Sequence, residues 1–170
     1  MLPMPIANHE AITAELASSG KYVKVLWQSE DTLMFIGRGR EYRSEFHINP
    51  SDETMTMLKG TMNLHFREPD GSEKIAVLKE GETIYTAAGI PHSPRFPADA
   101  FLLVGERMRQ PGETDCFQWF CPSCDHLIHE EMFVVDDYTK DPVSRAYDNF
   151  FNSENARTCK DCGTVHPGRD

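Results

Sequence analysis

The sequence predicts an all-β fold, an antiparallel sandwich or barrel of short strands, with one short N-terminal helix and a small metal-holding appendage at the C-terminus. Three observations carry that prediction. Short β-prone runs recur from Lys21 to Glu106, as a sandwich or barrel requires. Turn residues separate them, at Lys59-Gly60, Pro69-Asp70-Gly71 and Lys79-Glu80-Gly81. Beyond the last run stand two Cys-x-x-Cys pairs, Cys121/Cys124 and Cys159/Cys162.

Taken in order, the segment from Asn8 to Ser19 has a capping side chain at Asn8, apolar Ile12 and Leu16 at helical spacing, and Gly20 as a stop. Strands are expected over Tyr22–Trp27, Thr32–Ile36, Tyr42–His47, Glu53–Leu58, Thr61–Phe66, Lys74–Leu78, Thr83–Thr86 and Ala100–Glu106, with a loop at Gly37-Arg38-Gly39-Arg40. Asp141-Pro142 reads as the start of a helix running through Phe151, with proline in the first turn where its missing N–H costs little. Residues 1–115 are read as the barrel domain and 116–170 as an extension packed on it, the two forming a single structural unit.

Composition narrows the function. The formal net charge is -10, from 27 acidic and 17 basic residues, and no Lys/Arg run offers the basic footprint that nucleic acid demands. No apolar run approaches the 18 residues or so of a membrane span, and no signal peptide is evident. A cytoplasmic, soluble protein is expected. In that setting paired cysteines favour metal over disulfides; Cys116, the fifth, reads as a small core residue.

Two imidazoles and a carboxylate organise the rest. His47 is followed by Glu53, then by Gly60; Gly81 leads through Ala87-Ala88-Gly89 to His92. These turn glycines and ligand types match the two motifs of cupins, the double-stranded β-helix or jelly-roll barrels, although the first has one His before the Glu where two are usual and the second has Ala87 in a proline position. Brought together, His47, Glu53 and His92 form a two-His-one-carboxylate face that holds non-haem Fe(II) and leaves adjacent sites for a chelating aromatic substrate and O₂. His9, His65, His126, His129 and His166 lack such a context and read as surface or core residues.

The run Tyr42-Arg43-Ser44-Glu45-Phe46-His47, together with Leu58-Lys59-Gly60, Pro91-His92-Ser93-Pro94, Glu106-Arg107, Phe117-Gln118-Trp119-Phe120-Cys121 and the terminal Cys162-Gly163-Thr164-Val165-His166-Pro167-Gly168-Arg169, resembles the bacterial 3-hydroxyanthranilate 3,4-dioxygenases over nearly the whole chain. The resemblance implies a homodimeric Fe(II) extradiol-type dioxygenase that opens an ortho-aminophenol carboxylate ring with O₂, taking 3-hydroxyanthranilate to 2-amino-3-carboxymuconate semialdehyde. It implies His47, Glu53 and His92 as iron ligands, Arg43 as the residue that grips the substrate carboxylate and aids catalysis, and Glu106 as an acid/base on the substrate's hydroxyl or amine. Both roles suit the groups: guanidinium and carboxylate form paired, charge-assisted bonds, and a carboxylate near the chelating atoms can move their proton.

Several stretches depart from the family. After the second histidine the family reads His-Ser-Pro-Gln-Arg, its Arg also holding the substrate carboxylate, whereas here His92-Ser93-Pro94-Arg95-Phe96 follows. With one residue deleted, Arg95 keeps that substrate-binding role; without a gap, the alternation of side chains along a strand turns it away. Gly20-Lys21-Tyr22-Val23-Lys24, Gly37-Arg38-Gly39-Arg40-Glu41 and Gly105 replace other family segments around the pocket, and such loops set substrate choice.

Cys121, Cys124, Cys159 and Cys162 are expected to form a tetrahedral four-thiolate site, rubredoxin-like, for structural iron or zinc. Four protein ligands leave no position for substrate. The competing readings are a related cupin dioxygenase with another aromatic substrate, a non-catalytic metal-dependent small-molecule binder, and a zinc-ribbon interaction module, the last weakened by the absence of a basic face.

Overall fold

The computed structural model describes residues 4–40, 43–138 and 144–168. Helix α1 (His9–Ser19) begins where Asn8 accepts from the Ala11 amide and ends at Gly20, whose positive φ of 72° suits a residue without Cβ. Its one buried side chain, Leu16, packs with Ile36 and Phe101. Truncating it to alanine would cost about 2–5 kcal/mol.

Eleven strands follow: β1 (Val23–Gln28), β2 (Leu33–Arg38), β3 (Phe46–Ile48), β4 (Glu53–Lys59), β5 (Thr61–Arg67), β6 (Glu73–Lys79), β7 (Thr83–Thr86), β8 (His92–Arg95), β9 (Phe101–Glu106), β10 (Asp115–Phe120) and β11 (Leu127–Phe133). All pair antiparallel, in a five-stranded sheet of order β1-β2-β9-β4-β7 and a six-stranded sheet of order β11-β10-β3-β8-β5-β6. Alternation fills the space between them. Met55 and Met57 of β4, Met62 and Leu64 of β5 and Leu102 and Val104 of β9 turn inward into one core, while Thr54, Thr61 and Asn63 face out. This is the double-stranded β-helix of cupins.

Two features differ from the sequence reading. The strand expected from Tyr42 is regular only over Phe46–Ile48, with Glu41 and Tyr42 outside the described residues. Strands β8, β10 and β11 were not anticipated: β8 is short and carries Pro94, and β10 and β11 lie in the segment assigned to the extension. They complete the larger sheet, because β10 pairs with β3 and β11 with β10.

The extension builds a second core on that sheet. Helix α2 (Ser144–Phe151) lays Ala146 and Phe150 against Phe117, Trp119, Phe133 and Val135. Trp119 and Phe150 stack with ring centroids 4.3 Å apart, an offset arrangement that adds to simple burial. Residues Asp141 and Pro142, where a helix start was expected, lie outside the described residues. A last short helix, α3 (Glu154–Arg157), leads into the second cysteine pair.

Candidate active site

Two cross-strand pairs, one from each sheet, make the site. On the larger sheet His47 lies opposite His92; on the smaller, Glu53 lies opposite Glu106. One donor atom each from His47, Glu53 and His92 fall within 4.8 Å of one another, and all three residues are buried.

The hydrogen bonds around them leave lone pairs pointing at a common point. His92 Nδ1 donates to the Ile90 carbonyl (2.8 Å), so Nε2 is the ring nitrogen left to face a ligand; against the desolvation of burial, Glu53 favours the protonated ring until a cation takes that proton's place. That nitrogen lies 2.7 Å from Glu53 Oε2, yet Oε2 is buried without a hydrogen bond of acceptable geometry. A buried carboxylate oxygen facing a ring nitrogen is what a bound cation would reconcile. His47 donates from Nε2 to Asp115 Oδ2 (2.6 Å), since a carboxylate only accepts, which leaves Nδ1 for an ion. The donor set fits a divalent transition metal, with Asp115 orienting the first ligand.

Electrostatics follow from burial. Desolvation lowers His47 against the pull of Asp115, favouring the neutral ring that binds metal. Glu106 is pushed up to about 7, first by burial and then by the charge of Glu53. Its Oε2 accepts from Asn49 Nδ2 (3.0 Å) and Arg109 Nη1 (2.5 Å), while Oε1 has no partner among the described residues. Arg109, almost wholly buried, also reaches both oxygens of Asp115. One guanidinium therefore ties Glu106 to the carboxylate that holds His47.

A cavity of about 640 Å³ opens on this face, lined by His47, Glu53 and His92 together with Arg43, Met55, Phe96 and Tyr138. Arg43 Nε sits 2.7 Å from the buried Glu45 Oε1, which also accepts from the Tyr147 hydroxyl.

The amino-acid sequence matches the family model described as 3-hydroxyanthranilic acid dioxygenase over residues 15–151. The chain belongs to the 3-hydroxyanthranilic acid dioxygenase family. It is 35% identical over 144 residues to the 3-hydroxyanthranilate 3,4-dioxygenase of Bacillus thuringiensis (strain Al Hakam), covering 85% of this chain and 80% of that protein. Proteins of the same name from Cupriavidus pinatubonensis and Xanthomonas campestris pv. campestris are each 36% identical, over 85% of this chain and 77% and 80% of theirs. The family makes this a metal-dependent, ring-cleaving dioxygenase.

Not every family position behaves as expected. Arg95 does not join the cavity. In β8 the side chains of His92 and Pro94 line it, and Phe96 follows in the same phase, whereas Arg95 lies over the Phe46 ring with Nε donating to Ser93 Oγ. Strand alternation puts its side chain on the face of β8 opposite His92 and Pro94. Phe96 occupies the wall instead. Glu106 stands beside the cavity, behind Glu53, and is not part of its lining.

Residues that sequence reasoning passed over include Asp115, Arg109, Asn49, Glu45, Tyr138 and Tyr147. Each is an ordinary polar or aromatic residue until a strand or helix far along the chain delivers its partner, as with Tyr147 and Glu45. Gly39 was read only as loop, but a Cβ there would stand 2.0 Å from the Pro97 carbonyl oxygen. Only glycine permits that approach.

The second cluster comprises Cys121, Cys124, Cys159 and Cys162, whose sulfurs gather within 4.8 Å. The two knuckles share one construction. In each, the first cysteine's amide donates to the carbonyl five residues on, His126 or Thr164, and its own carbonyl accepts from the amide four residues on, Asp125 or Gly163. Those fourth residues have positive φ, 60° and 76°. Asp125 adopts that conformation with its carboxylate paired to Arg67, whose guanidinium covers Phe120.

Proposed function

We propose that the protein is an Fe(II)-dependent dioxygenase that opens the ring of 3-hydroxyanthranilate with O₂, giving 2-amino-3-carboxymuconate semialdehyde. The observation that carries this reading is one cavity wall shared by two imidazoles, a carboxylate oxygen without a hydrogen-bond partner among the described residues, and an arginine. His47, Glu53 and His92 would hold the iron, which when bound would supply the electron path that lets O₂ combine with the aromatic ring. Both oxygen atoms enter the product and no external reductant is consumed.

The chain's own groups do the rest. Arg43 binds the substrate carboxylate through the guanidinium edge that Glu45 does not occupy, and so orients the ring. Glu106, behind Glu53 at the edge of the cavity, with a carboxyl near 7 and an Oε1 unpaired among the described residues, takes up through one intervening water the proton released when the substrate's hydroxyl or amine binds. Met55, Phe96 and Tyr138 exclude water around the reacting ring. The 116–170 extension is one unit with the barrel, its four cysteines holding a structural iron or zinc away from substrate. Clustered free thiols fit a cytoplasmic protein, and the resemblance to the bacterial enzymes supports a homodimer.

The test begins with metal-free protein, to which Fe(II) is added anaerobically before 3-hydroxyanthranilate and then air. Growth of the ring-opened product's absorbance only in the iron-loaded sample, and its loss in His47→Ala, Glu53→Ala and His92→Ala, supports the reading. Substrate binding with no product in air points instead to a binding module.

A further inference from the structure

The cavity carries more positive charge than its metal ligands explain. Lys21, Lys24, Arg38, Arg40 and Arg43 all line it, against the single carboxylate Glu53. Three of these cations are engaged elsewhere: Lys24 pairs with Glu15 (2.9 Å), Arg38 Nε donates to the Ala98 carbonyl (2.7 Å), and Arg43 sits on Glu45. Arg40 differs. Its guanidinium lies 5.0 Å from the Tyr22 ring centroid and 5.2 Å from that of Tyr147, with no carboxylate or carbonyl partner among the described residues.

Aromatic faces hold a guanidinium by its faces and leave its in-plane N–H donors open. Those donors match a carboxylate in two parallel bonds. Tyr147 links the two arginines, because its ring supports Arg40 while its hydroxyl bonds to Glu45, the ion-pair partner of Arg43, and both arginines line the same cavity. The backbone leading into Arg40 is fixed too. Gly39 is pressed against the Phe96–Pro97 carbonyls and donates its amide to Ala100.

We propose that Arg40, held by Tyr22 and Tyr147, is the second arm of a two-arginine clamp for the substrate's ring carboxylate and sets the preference of the cavity for carboxylated over carboxylate-free aminophenols. The inference rests on the reading of the cavity as a site for an ortho-aminophenol carboxylate. Arg40 is a specificity residue, and the chemistry at the metal does not pass through it.

The test measures binding on Fe(II)-loaded protein kept anaerobic. The probes are anthranilate, which has the carboxylate but no hydroxyl to oxidise, and 2-aminophenol, which lacks the carboxylate. Arg40→Met is expected to weaken anthranilate on the order of tenfold or more, as for a lost charged hydrogen bond, and 2-aminophenol by less than about twofold. Arg40→Lys recovers only part of the loss, since an ammonium lacks the planar fork. Lys24→Met, which removes a cavity cation already paired with Glu15, changes anthranilate binding by less than about twofold. Equal losses for both probes, a Lys24→Met loss as large as that of Arg40→Met, unchanged anthranilate binding in Arg40→Met, or no anthranilate binding by the wild type would each overturn the clamp. Arg40-dependent anthranilate binding without O₂ uptake on 3-hydroxyanthranilate leaves the clamp standing and sinks the dioxygenase reading. Turnover with an unchanged KM in Arg40→Met sinks the clamp alone.

Discussion

Glu53 and Glu106 are direct cross-strand partners, so the sheet places a second carboxyl group immediately opposite the one that faces the metal position. Burial pushes the Glu106 carboxyl up, and the like charge of Glu53 so placed adds to it, bringing it to about 7. As a base it works only when ionised. The rate is therefore expected to rise with pH through its titration, at a pH drawn below 7 by the charge of bound iron. Glu106→Gln should flatten that limb and lower kcat by about 10²–10⁴-fold, with iron content unchanged by metal analysis. Loss of iron along with activity would make Glu106 a structural group.

Asp115 acts through His47. By accepting from Nε2 it fixes the ring tautomer and orientation, and removing such a partner typically costs about 10–100-fold in metal affinity. Asp115→Asn should therefore weaken Fe(II) binding by that amount in a competition titration with a chelator, while saturating Fe(II) restores most of the activity.

Arg109 bridges Glu106 and Asp115 with all three groups buried. Arg109→Met leaves two uncompensated carboxylates and should destabilise the protein by about 3–5 kcal/mol, read by denaturant unfolding. The double variant Arg109→Met with Asp115→Asn should recover part of that loss, as expected when the cost lies in an orphaned charge.

Much of this was legible in the sequence, and the reason is local. Gly60 follows Glu53 by seven residues and Gly89 precedes His92 by three, which fixes the frame of the two motifs, and the Cys-x-x-Cys spacing carries its own geometry; the side chains of both clusters gather. The buried network was not legible. Asp115 lies 68 residues from His47 and Tyr147 lies 102 from Glu45, distances over which no periodicity in a single sequence speaks. The face on which Arg95 lies was not legible because one residue of slip reverses a strand's faces, and it is set by the β5–β8 register, with Asn63 opposite Arg95. Strands β10 and β11 were missed because the cysteines drew attention to a metal-holding extension: β10 joins β3 far back in the chain, while β11 closes a local hairpin with β10.

The four-cysteine cluster has no open position, so its metal is expected to stabilise without reacting. Cys124 is exposed and its sulfur lies 3.6 Å from that of Cys159. Cys124→Ser should release this metal and lower Tm, while His47, Glu53 and His92 retain their own. Two metals per chain in the wild type and one in the variant is the expected count. Because the extension's core reaches the first ligand through Phe117, whose ring centroid is 5.3 Å from that of His47, activity at elevated temperature should fall before activity in the cold.

The most direct test of the central claim is the stoichiometry of O₂ uptake by Fe(II)-loaded protein given a limiting amount of 3-hydroxyanthranilate and no added reductant. One O₂ consumed for each substrate, without hydrogen peroxide, is the predicted result. No uptake, or uptake that requires an external electron donor, would contradict it.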